Sequence, residues 1–173
     1  PPVDIVIEGE VTSKTDILDP KVLQKVRNWL SSGVVGLVHF GTPCTTFSRA
    51  RKHGDDGPAP IRSDDHLFGI PGISEEDRAK VQLGTRFLDL TLSLCALIEQ
   101  HAGHWTIENP ATSMLWIMPQ TLAFLSGRSA HRILIDMCAY GAESRKPTLF
   151  VCSAGTFAVM ARTCPGLSDD HVH

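Results

Sequence analysis

Two short apolar runs in this sequence each end abruptly at a polar turn, and this pattern restricts the fold more than any other feature. Residues 34–40 end before Gly-Thr-Pro, and residues 104–107 end before Glu-Asn-Pro. Short apolar runs that stop at turn residues are typical of buried strands. A helical apolar stripe over residues 74–101 lies between them. The chain therefore alternates strands and helices, which predicts an α/β fold.

The rest of the chain continues this alternation. Asp19-Pro20 has the N-cap and first-turn residues of a helix, and this helix follows a strand predicted at residues 3–8. Strand, helix and strand in this order form the unit of a parallel sheet. A short helix is predicted at residues 119–125, and further strands at residues 132–137 and 148–152. No repeat, low-complexity tract or linker divides residues 1–173, so we expect a single domain.

Net charge and hydropathy restrict the partners. The formal net charge of -3 argues against a protein that binds polyanions over its whole surface, although a local basic patch remains open. The longest apolar runs carry charges or histidines and are shorter than the roughly 20 residues of a membrane span. No secretory signal is visible at the start of the sequence. We therefore expect neither a membrane-spanning segment nor secretion.

The five cysteines indicate reduced thiols. Their number is odd, their spacing is wide and no Cys-x-x-Cys pair occurs, which argues for an intracellular protein without distinguishing nucleus from cytoplasm. Cys152, Cys164 and His171 are the nearest approach to a metal site. They include no close pair of ligands, so no metal is predicted.

Cys44 follows the first buried run in a loop that also contains hydroxyls and arginines. A thiol beside cations suits a nucleophile, and an ordinary half-buried cysteine fits the same residues. The carboxyl ends of parallel strands line one crevice of an open sheet, where ligands bind. Cys44 and Glu108 each follow a strand, so we expect them to meet there over one substrate.

Three thiol chemistries are compatible with such a site. Acyl transfer needs a histidine base, but His39 lies an odd number of residues from Cys44 along the chain. Cysteine phosphatases place five residues between Cys and Arg, whereas four separate Cys44 from Arg49 and six separate it from Arg51. The third chemistry is addition of a thiolate to C6 of a pyrimidine, while an acid stabilises charge at N3. This chemistry needs the cysteine and carboxyl pair that is present.

Three segments resemble motifs of the DNA (cytosine-5) methyltransferases. Residues 42–48 (Thr-Pro-Cys-Thr-Thr-Phe-Ser) resemble the Pro-Cys-Gln-x-Phe-Ser loop, and residues 108–110 resemble Glu-Asn-Val. Tyr140-Gly141, with the basic and apolar residues that follow, is similar to the Tyr-Gly-Val-Pro-Gln-x-Arg-x-Arg stretch. The order of the motifs agrees over nearly the whole chain, which corresponds to part of the family's catalytic domain. The chain is more narrowly similar to divergent methylase-like domains of viral and retroelement polyproteins.

The resemblance implies a fold and an activity. The fold would be a doubly wound, mostly parallel sheet of the S-adenosylmethionine-dependent methyltransferase type, without its first strand–helix unit. The activity would be transfer of a methyl group from S-adenosyl-L-methionine to C5 of cytosine in DNA. The glycine-rich cofactor loop and a target-recognition domain are not in the sequence, so we expect a fragment of a larger polypeptide. A degenerate nucleic-acid-binding module without catalysis is the alternative, and RNA is not excluded as the partner.

The resemblance also implies roles for individual residues. Cys44 would attack C6, and Glu108 would contact N3 and the exocyclic amine. Asn109 would orient the loop, and Arg145 or Lys146 would stabilise the O2 side. Glu8 would bind the cofactor ribose and the Asp16-Ile17 pair its adenine. The predicted cofactor-binding residues are Glu8, Asp16, Ile17 and Pro43. The predicted substrate-binding residues are Thr45, Ser48, Arg49, Arg51 and Asn109.

Overall fold

The computed structural model describes residues 6–7, 10–11, 15–50 and 57–166. Strands β1 (Val6–Ile7) and β2 (Glu10–Val11) pair with each other in a separate antiparallel ribbon. The main sheet has four strands in the spatial order β3-β4-β6-β5, and it is open. Its strands are β3 (Leu37–Gly41), β4 (His104–Pro110), β5 (His131–Asp136) and β6 (Pro147–Cys152). The predicted α/β class is confirmed.

The main sheet is mixed, which corrects the prediction of a mostly parallel one. β3 is parallel to β4, whereas β6 is antiparallel to both of its neighbours, β4 and β5. The reason lies in the connection from β5 to β6, where a 3-10 turn at Met137–Tyr140 ends at Gly141 with a φ of 89°. So short a connection reverses the chain, because a parallel partner needs a crossover of a dozen or more residues. β3, β4 and β5 nevertheless run in the same direction.

The predicted first strand–helix–strand unit is wrong in this part of the structure. β1 pairs with β2 and not with β3, so the ribbon does not join the main sheet. Residues 3–5 and 8 of the predicted strand lie outside the described residues. β3 is therefore an edge strand of the main sheet, with β4 as its partner.

The helices begin where their capping residues predict. In α1 (Pro20–Ser31), the carboxylate of Asp19 accepts hydrogen bonds from two backbone amides of the first turn. In α2 (Glu75–Gln100), the hydroxyl oxygen of Ser74 accepts from the amide of Asp77 at 3.0 Å. α3 (Pro119–Leu125) has its proline in the first turn and spans the predicted residues. Side-chain caps satisfy amides that have no partner within the helix, which explains why the starts of α1 and α2 can be predicted from the sequence.

The core lies between α2 and one face of the main sheet. Trp105, Ile107 and Val151 project from the sheet into this core, and all three α-helices contribute to the same apolar cluster. The predicted apolar stripe of α2 is confirmed, since most of it is buried. On the opposite face a smaller cluster over β5 and β6 packs against the 3-10 segment Gly155–Met160. No α-helix within the described ranges joins this second cluster, so helices on both faces, as a doubly wound sheet requires, are not observed there.

α2 has 26 residues and is long and apolar enough to cross a membrane by length and composition alone. One such helix is weak evidence for a membrane protein, because the core helix of a soluble protein passes the same test. Eight of its residues are buried within the fold. The absence of a membrane partner stays a prediction.

Candidate functional site

One edge of the main sheet collects the segments in which the predicted catalytic residues lie. The carboxyl ends of β3, β4 and β5 reach this edge together with the amino end of β6. Gly41 of β3 is in register with Glu108 of β4, and Pro110 is in register with Thr148 of β6. Cys44 lies three residues beyond Gly41, and Lys146 directly precedes β6. The predicted nucleophile, acid and cations thus all belong to segments at one edge.

A buried hydrogen bond joins the cysteine loop to the end of β4. The side-chain amide of Asn109, 1% exposed, donates to the carbonyl oxygen of Thr42 at 2.7 Å and to that of Glu108 at 3.1 Å. On the helix side, the buried hydroxyls of Thr42 and Thr91 of α2 lie 3.1 Å apart. The segment before Cys44 is therefore held by both β4 and α2. Asn109 thus connects these parts of the fold, as its expected role in orienting the loop requires, and its predicted contact with substrate stays a prediction.

The loop after Cys44 is fixed by backbone hydrogen bonds. The amide of Phe47 donates to the carbonyl of Cys44 at 2.9 Å, which closes a turn around the cysteine. The amide of Met114, which follows β4, donates to the carbonyl of Phe47 at the same distance. Phe47 itself is fully buried. Pro43 and Thr45 on either side of Cys44 are exposed, so the loop presents this part of the chain to solvent.

Burial separates the five cysteines into two groups. Cys95, Cys138 and Cys152 are buried, and burial raises the pKa of each thiol, that of Cys152 to about 11. A raised pKa removes the thiolate and hence the nucleophile. Cys44 and Cys164 are half-buried. All five cysteines lie in the described part of the chain, and none forms a disulfide bond. Cys44 is the half-buried thiol at the sheet edge where Glu108 emerges.

His39 makes its contacts on the sheet surface. Its Nδ1 lies 2.8 Å from the hydroxyl oxygen of Thr106, and its ring stacks on Phe150 with centroids 5.8 Å apart. The strand register places His39, Thr106 and Glu108 on the same face of the sheet. These contacts orient the imidazole across β4. The structure therefore gives no support to His39 as a base for Cys44.

The cations near Cys44 make structural contacts. One guanidinium nitrogen of Arg49 lies 2.5 Å from a carboxylate oxygen of Asp64, and its Nε donates to the carbonyl of Thr112 at 2.8 Å. Arg49 thus connects the cysteine loop to the segment that precedes α2 and to the turn that follows β4. The hydroxyl of Ser48 accepts from the amide of Ala50 at 3.1 Å. Arg51, also predicted to bind substrate, lies outside the described residues.

Both residues of the second basic pair are exposed, and Arg145 forms an ion pair. The Nε of Arg145 lies 3.2 Å from a carboxylate oxygen of Asp136, which is 1% exposed, and this neighbour raises the pKa of Arg145. The other oxygen of Asp136 accepts from the amide of Cys164 at 2.7 Å. Lys146 is exposed and has an unusual φ of 30°. Asp136 was missed in the sequence, although it ends a strand as Glu108 nearly does.

The predicted cofactor-binding residues make local contacts where the structure describes them. Glu8 lies outside them, the carboxylate of Asp16 accepts from the amide of Leu18 at 2.9 Å, and Ile17 packs against the core. Pro43 is exposed. Two clefts of about 380 and 270 Å³ lie between α1 and α2, and no predicted site residue lines either one. Binding of S-adenosylmethionine by these residues therefore stays a prediction.

Arg62 is a second residue that the sequence did not reveal. It belongs to a hydrophilic segment rich in glycine and proline that follows the cysteine loop, yet its side chain is only 2% exposed. It lies between α2 and the cysteine loop. An arginine in a segment without apolar periodicity gives no signal of burial, so only the structure identifies it.

Metal ligation finds no support in the ranges that the structure describes. They contain no group of three or more histidine, cysteine, aspartate or glutamate residues that could hold a metal ion. His171, one of the three scattered ligands considered above, lies outside these ranges.

Comparison with known proteins returns no match. No family model, no curated protein and no solved structure matches this chain. The resemblance to the DNA (cytosine-5) methyltransferases therefore stays a prediction from the motifs.

Proposed function

We propose that this chain carries the nucleophilic half of a DNA (cytosine-5) methyltransferase site, with Cys44 as nucleophile and Glu108 as acid. S-adenosylmethionine is the methyl donor that the resemblance implies. The observation that carries the proposal is the 2.7 Å hydrogen bond from Asn109 to Thr42, which joins the cysteine loop to the end of β4 beside Glu108. This bond supports the idea that nucleophile and acid act on one ring, because it fixes their two segments to each other.

The proposed chemistry needs both residues at once. The Cys44 thiolate forms a bond to C6 of the cytosine, and the C5–C6 π electrons shift toward N3. The carboxyl group of Glu108 supplies the proton that N3 takes up. Addition leaves C5 nucleophilic, which methyl transfer to this carbon requires. After methyl transfer, water takes up the proton of C5, the C5–C6 double bond forms again and the thiolate leaves C6. The proton on N3 returns to Glu108, which restores the aromatic ring and the enzyme.

The target base must be accessible from its face for this attack. A cytosine stacked in a duplex is not, so the substrate is a flipped-out or single-stranded base. Lys146 is an exposed cation at the same sheet edge, and it suits the O2 side of the ring. Arg145 suits that role less, because it is already paired with Asp136.

A nucleic-acid-binding module without catalysis is the second candidate. One observation favours it: within the described ranges, Asp16 and Ile17 are engaged in a local turn and in the core. A chain that keeps the cysteine and carboxyl segments without a cofactor site would still bind a nucleic acid. Single-stranded DNA, duplex DNA and RNA are the partners to compare.

The nucleophilic half can be tested without the cofactor. We would incubate the protein with an oligonucleotide carrying 5-azacytosine, whose ring is electrophilic at C6 and needs no methyl transfer to form an adduct. We expect a covalent complex that survives denaturing electrophoresis, is lost in Cys44→Ser and is strongly reduced in Glu108→Gln. Cys164→Ser is the matched control, since Cys164 is the other half-buried thiol, and it should keep the adduct.

Two further measurements separate the candidates. Transfer of a labelled methyl group from S-adenosylmethionine, together with calorimetric binding of the cofactor, supports the methyltransferase. Binding of DNA or RNA in fluorescence anisotropy, with neither adduct nor cofactor binding, supports the module. An adduct that persists in Cys44→Ser contradicts the assignment of the nucleophile.

A further inference from the structure

A buried guanidinium lies directly behind the cysteine loop. Arg62 is 2% exposed and belongs to the segment between the cysteine loop and α2. Thr46 and Phe47, its neighbours in the loop, follow Cys44 by two and three residues. Arg62 is therefore a buried cation in direct contact with the loop that contains the proposed nucleophile.

Arg62 connects three parts of the fold through one planar group. One terminal nitrogen donates to the carbonyl of Val81 at 2.7 Å and to the hydroxyl of Thr85 at 3.1 Å, both in α2. The same nitrogen donates to the hydroxyl of Thr46 at 3.3 Å. The other terminal nitrogen donates to the carbonyl of Leu67 in the segment before α2. A guanidinium offers this number of donors in a fixed plane, which an ammonium group cannot reproduce.

The guanidinium also stacks on an aromatic ring of the cysteine loop. Its central carbon lies 4.3 Å from the centroid of Phe47, within the range of a cation–π contact. Phe47 is fully buried, so this contact is shielded from water. Arg62 thus holds the loop in two ways, by a hydrogen bond to Thr46 and by its face on Phe47.

The space around these contacts is closed. A Cβ atom added at Gly84 of α2 would lie 2.4 Å from the Thr46 hydroxyl and 3.3 Å from a terminal nitrogen of Arg62. Glycine therefore allows α2 to approach the loop and the guanidinium together. The close approach at Gly84 keeps the loop from moving toward α2, and Arg62 contacts the loop through Thr46 and Phe47.

A cation at this position is costly for stability alone. No carboxylate within the described ranges forms an ion pair with Arg62, whose partners are neutral oxygens and a ring. Burial lowers the pKa of Arg62 to about 10, so it stays protonated near neutral pH. A well-packed apolar side chain often stabilises such a site better than a buried charge. The charge and its planar donors therefore call for a role beyond filling space.

We infer that Arg62 is a positioning residue for the Cys44 nucleophile, which it serves by fixing Thr46 and Phe47 in the loop. The inference rests on the proposed function. It extends that function by assigning the orientation of the thiol to a residue outside the three motifs. Small displacements of a reacting group cost large factors in rate, so the loss of this support should reduce the rate of addition.

The test measures adduct formation with the 5-azacytosine oligonucleotide in variants of the full chain. Thr46→Val is the sharpest variant, because it removes one acceptor and leaves the hydrogen bonds of Arg62 to Val81, Thr85 and Leu67. Arg62→Met removes the guanidinium, and Arg62→Lys keeps a charge with fewer donors. Arg78→Met is the matched control, since Arg78 is an exposed arginine of α2.

We expect Thr46→Val and Arg62→Met to lower the rate constant of adduct formation by about 10-fold or more. The DNA concentration for half-saturation should stay unchanged, because the proposed role is orientation and not binding. Arg62→Lys should recover part of the rate, and Arg78→Met all of it. Urea unfolding of each variant establishes that the folded protein is being compared.

Each failure has a distinct meaning. Wild-type protein that forms no adduct refutes the proposed function and the inference with it. Wild-type protein that forms the adduct, with Thr46→Val and Arg62→Met at the same rate, refutes the inference alone. A rise in half-saturation at an unchanged rate constant also refutes it, because Arg62 would then act on DNA binding. If Arg62→Met does not fold, Thr46→Val decides.

Discussion

At the scale of single residues, Asn109 is the side chain on which the proposed site most depends. Its amide nitrogen is shared by two carbonyl oxygens, those of Thr42 and Glu108, so the orientation of the amide is determined by its neighbours. Its carbonyl oxygen is buried and has no hydrogen-bond partner among the described residues. An asparagine is needed here for its donors, which an aspartate of the same shape lacks.

Asn109→Asp should therefore be strongly destabilising near neutral pH. The change places a carboxylate against two carbonyl oxygens in a buried site, and we expect the free energy of unfolding to fall by about 1–3 kcal/mol or more. The loss should be smaller at about pH 4, because a protonated carboxyl group can donate one hydrogen bond. Urea unfolding at both pH values measures this difference.

Asn28→Asp is the control for that prediction. Asn28 is exposed on α1, where its side chain accepts from Gln24. The same chemical change there should alter stability by a few tenths of a kcal/mol. Equal losses at the two positions would contradict the role assigned to the amide of Asn109.

At the scale of elements, local signals explain which predictions succeeded. α2 is capped by Ser74 and has a long apolar stripe, and its bounds agree with the prediction within one residue. The short strands were also located within a few residues of their observed positions. The order of the strands was harder, because β6 inserts between β4 and β5 through contacts distant in sequence. Local patterns carry no information on such pairing.

Gly84→Ala provides a test of how closely α2 approaches the cysteine loop. In an unhindered helix interior this change would stabilise the protein by about 1 kcal/mol, because alanine is the better helix former. Here the new methyl group would lie 2.4 Å from the hydroxyl of Thr46. We expect a net destabilisation of about 1–3 kcal/mol instead, together with slower adduct formation at Cys44.

The exposed Ala79 of α2 supplies the reference for helix propensity. Ala79→Gly should destabilise by about 1 kcal/mol and leave adduct formation unchanged. Thermal and urea unfolding should therefore show that alanine is less stable than glycine at position 84 and more stable than glycine at position 79. Stabilisation by Gly84→Ala would show that the loop moves to make room for the methyl group, and it would contradict close packing of α2 against the loop.

At the scale of the whole molecule, the sheet edge joins segments from most of the described chain. The sequence predicted that the Cys44 and Glu108 segments would reach one edge, because both follow strands in a parallel relationship. It did not predict the burial of Arg62 or of Asp136. Arg62 is buried through contacts with α2, and Asp136 through contacts that include the amide of Cys164, and both kinds of contact are distant in sequence. Nor did it predict that Asp16 and Ile17 would be engaged in a turn and in the core.

The buried thiols give the folded molecule a dependence on alkaline pH. Cys152 is the last residue of β6 and is fully buried, and this burial raises its pKa from 9.0 to about 11. Burial raises the pKa of Cys95 as well. A thiol with a raised pKa in the folded state stabilises the fold fully below its unfolded pKa. This contribution is lost as the pH rises from about 9 through about 11. Each thiol should remove about 1.4 kcal/mol of stability per pH unit in this interval.

Urea unfolding at about pH 7.5 and about pH 10.5 measures this effect, with Cys152→Ala as the informative variant. The alanine creates a small cavity and should destabilise at the lower pH. It also removes one titrating group, so the difference from wild type should shrink as the pH rises. Val151→Ala, which removes buried volume from the same strand but no titrating group, should run parallel to wild type across the same range. If Cys152→Ala also ran parallel to wild type, the thiol of Cys152 would be accessible in the folded protein, which would contradict its burial in the smaller apolar cluster.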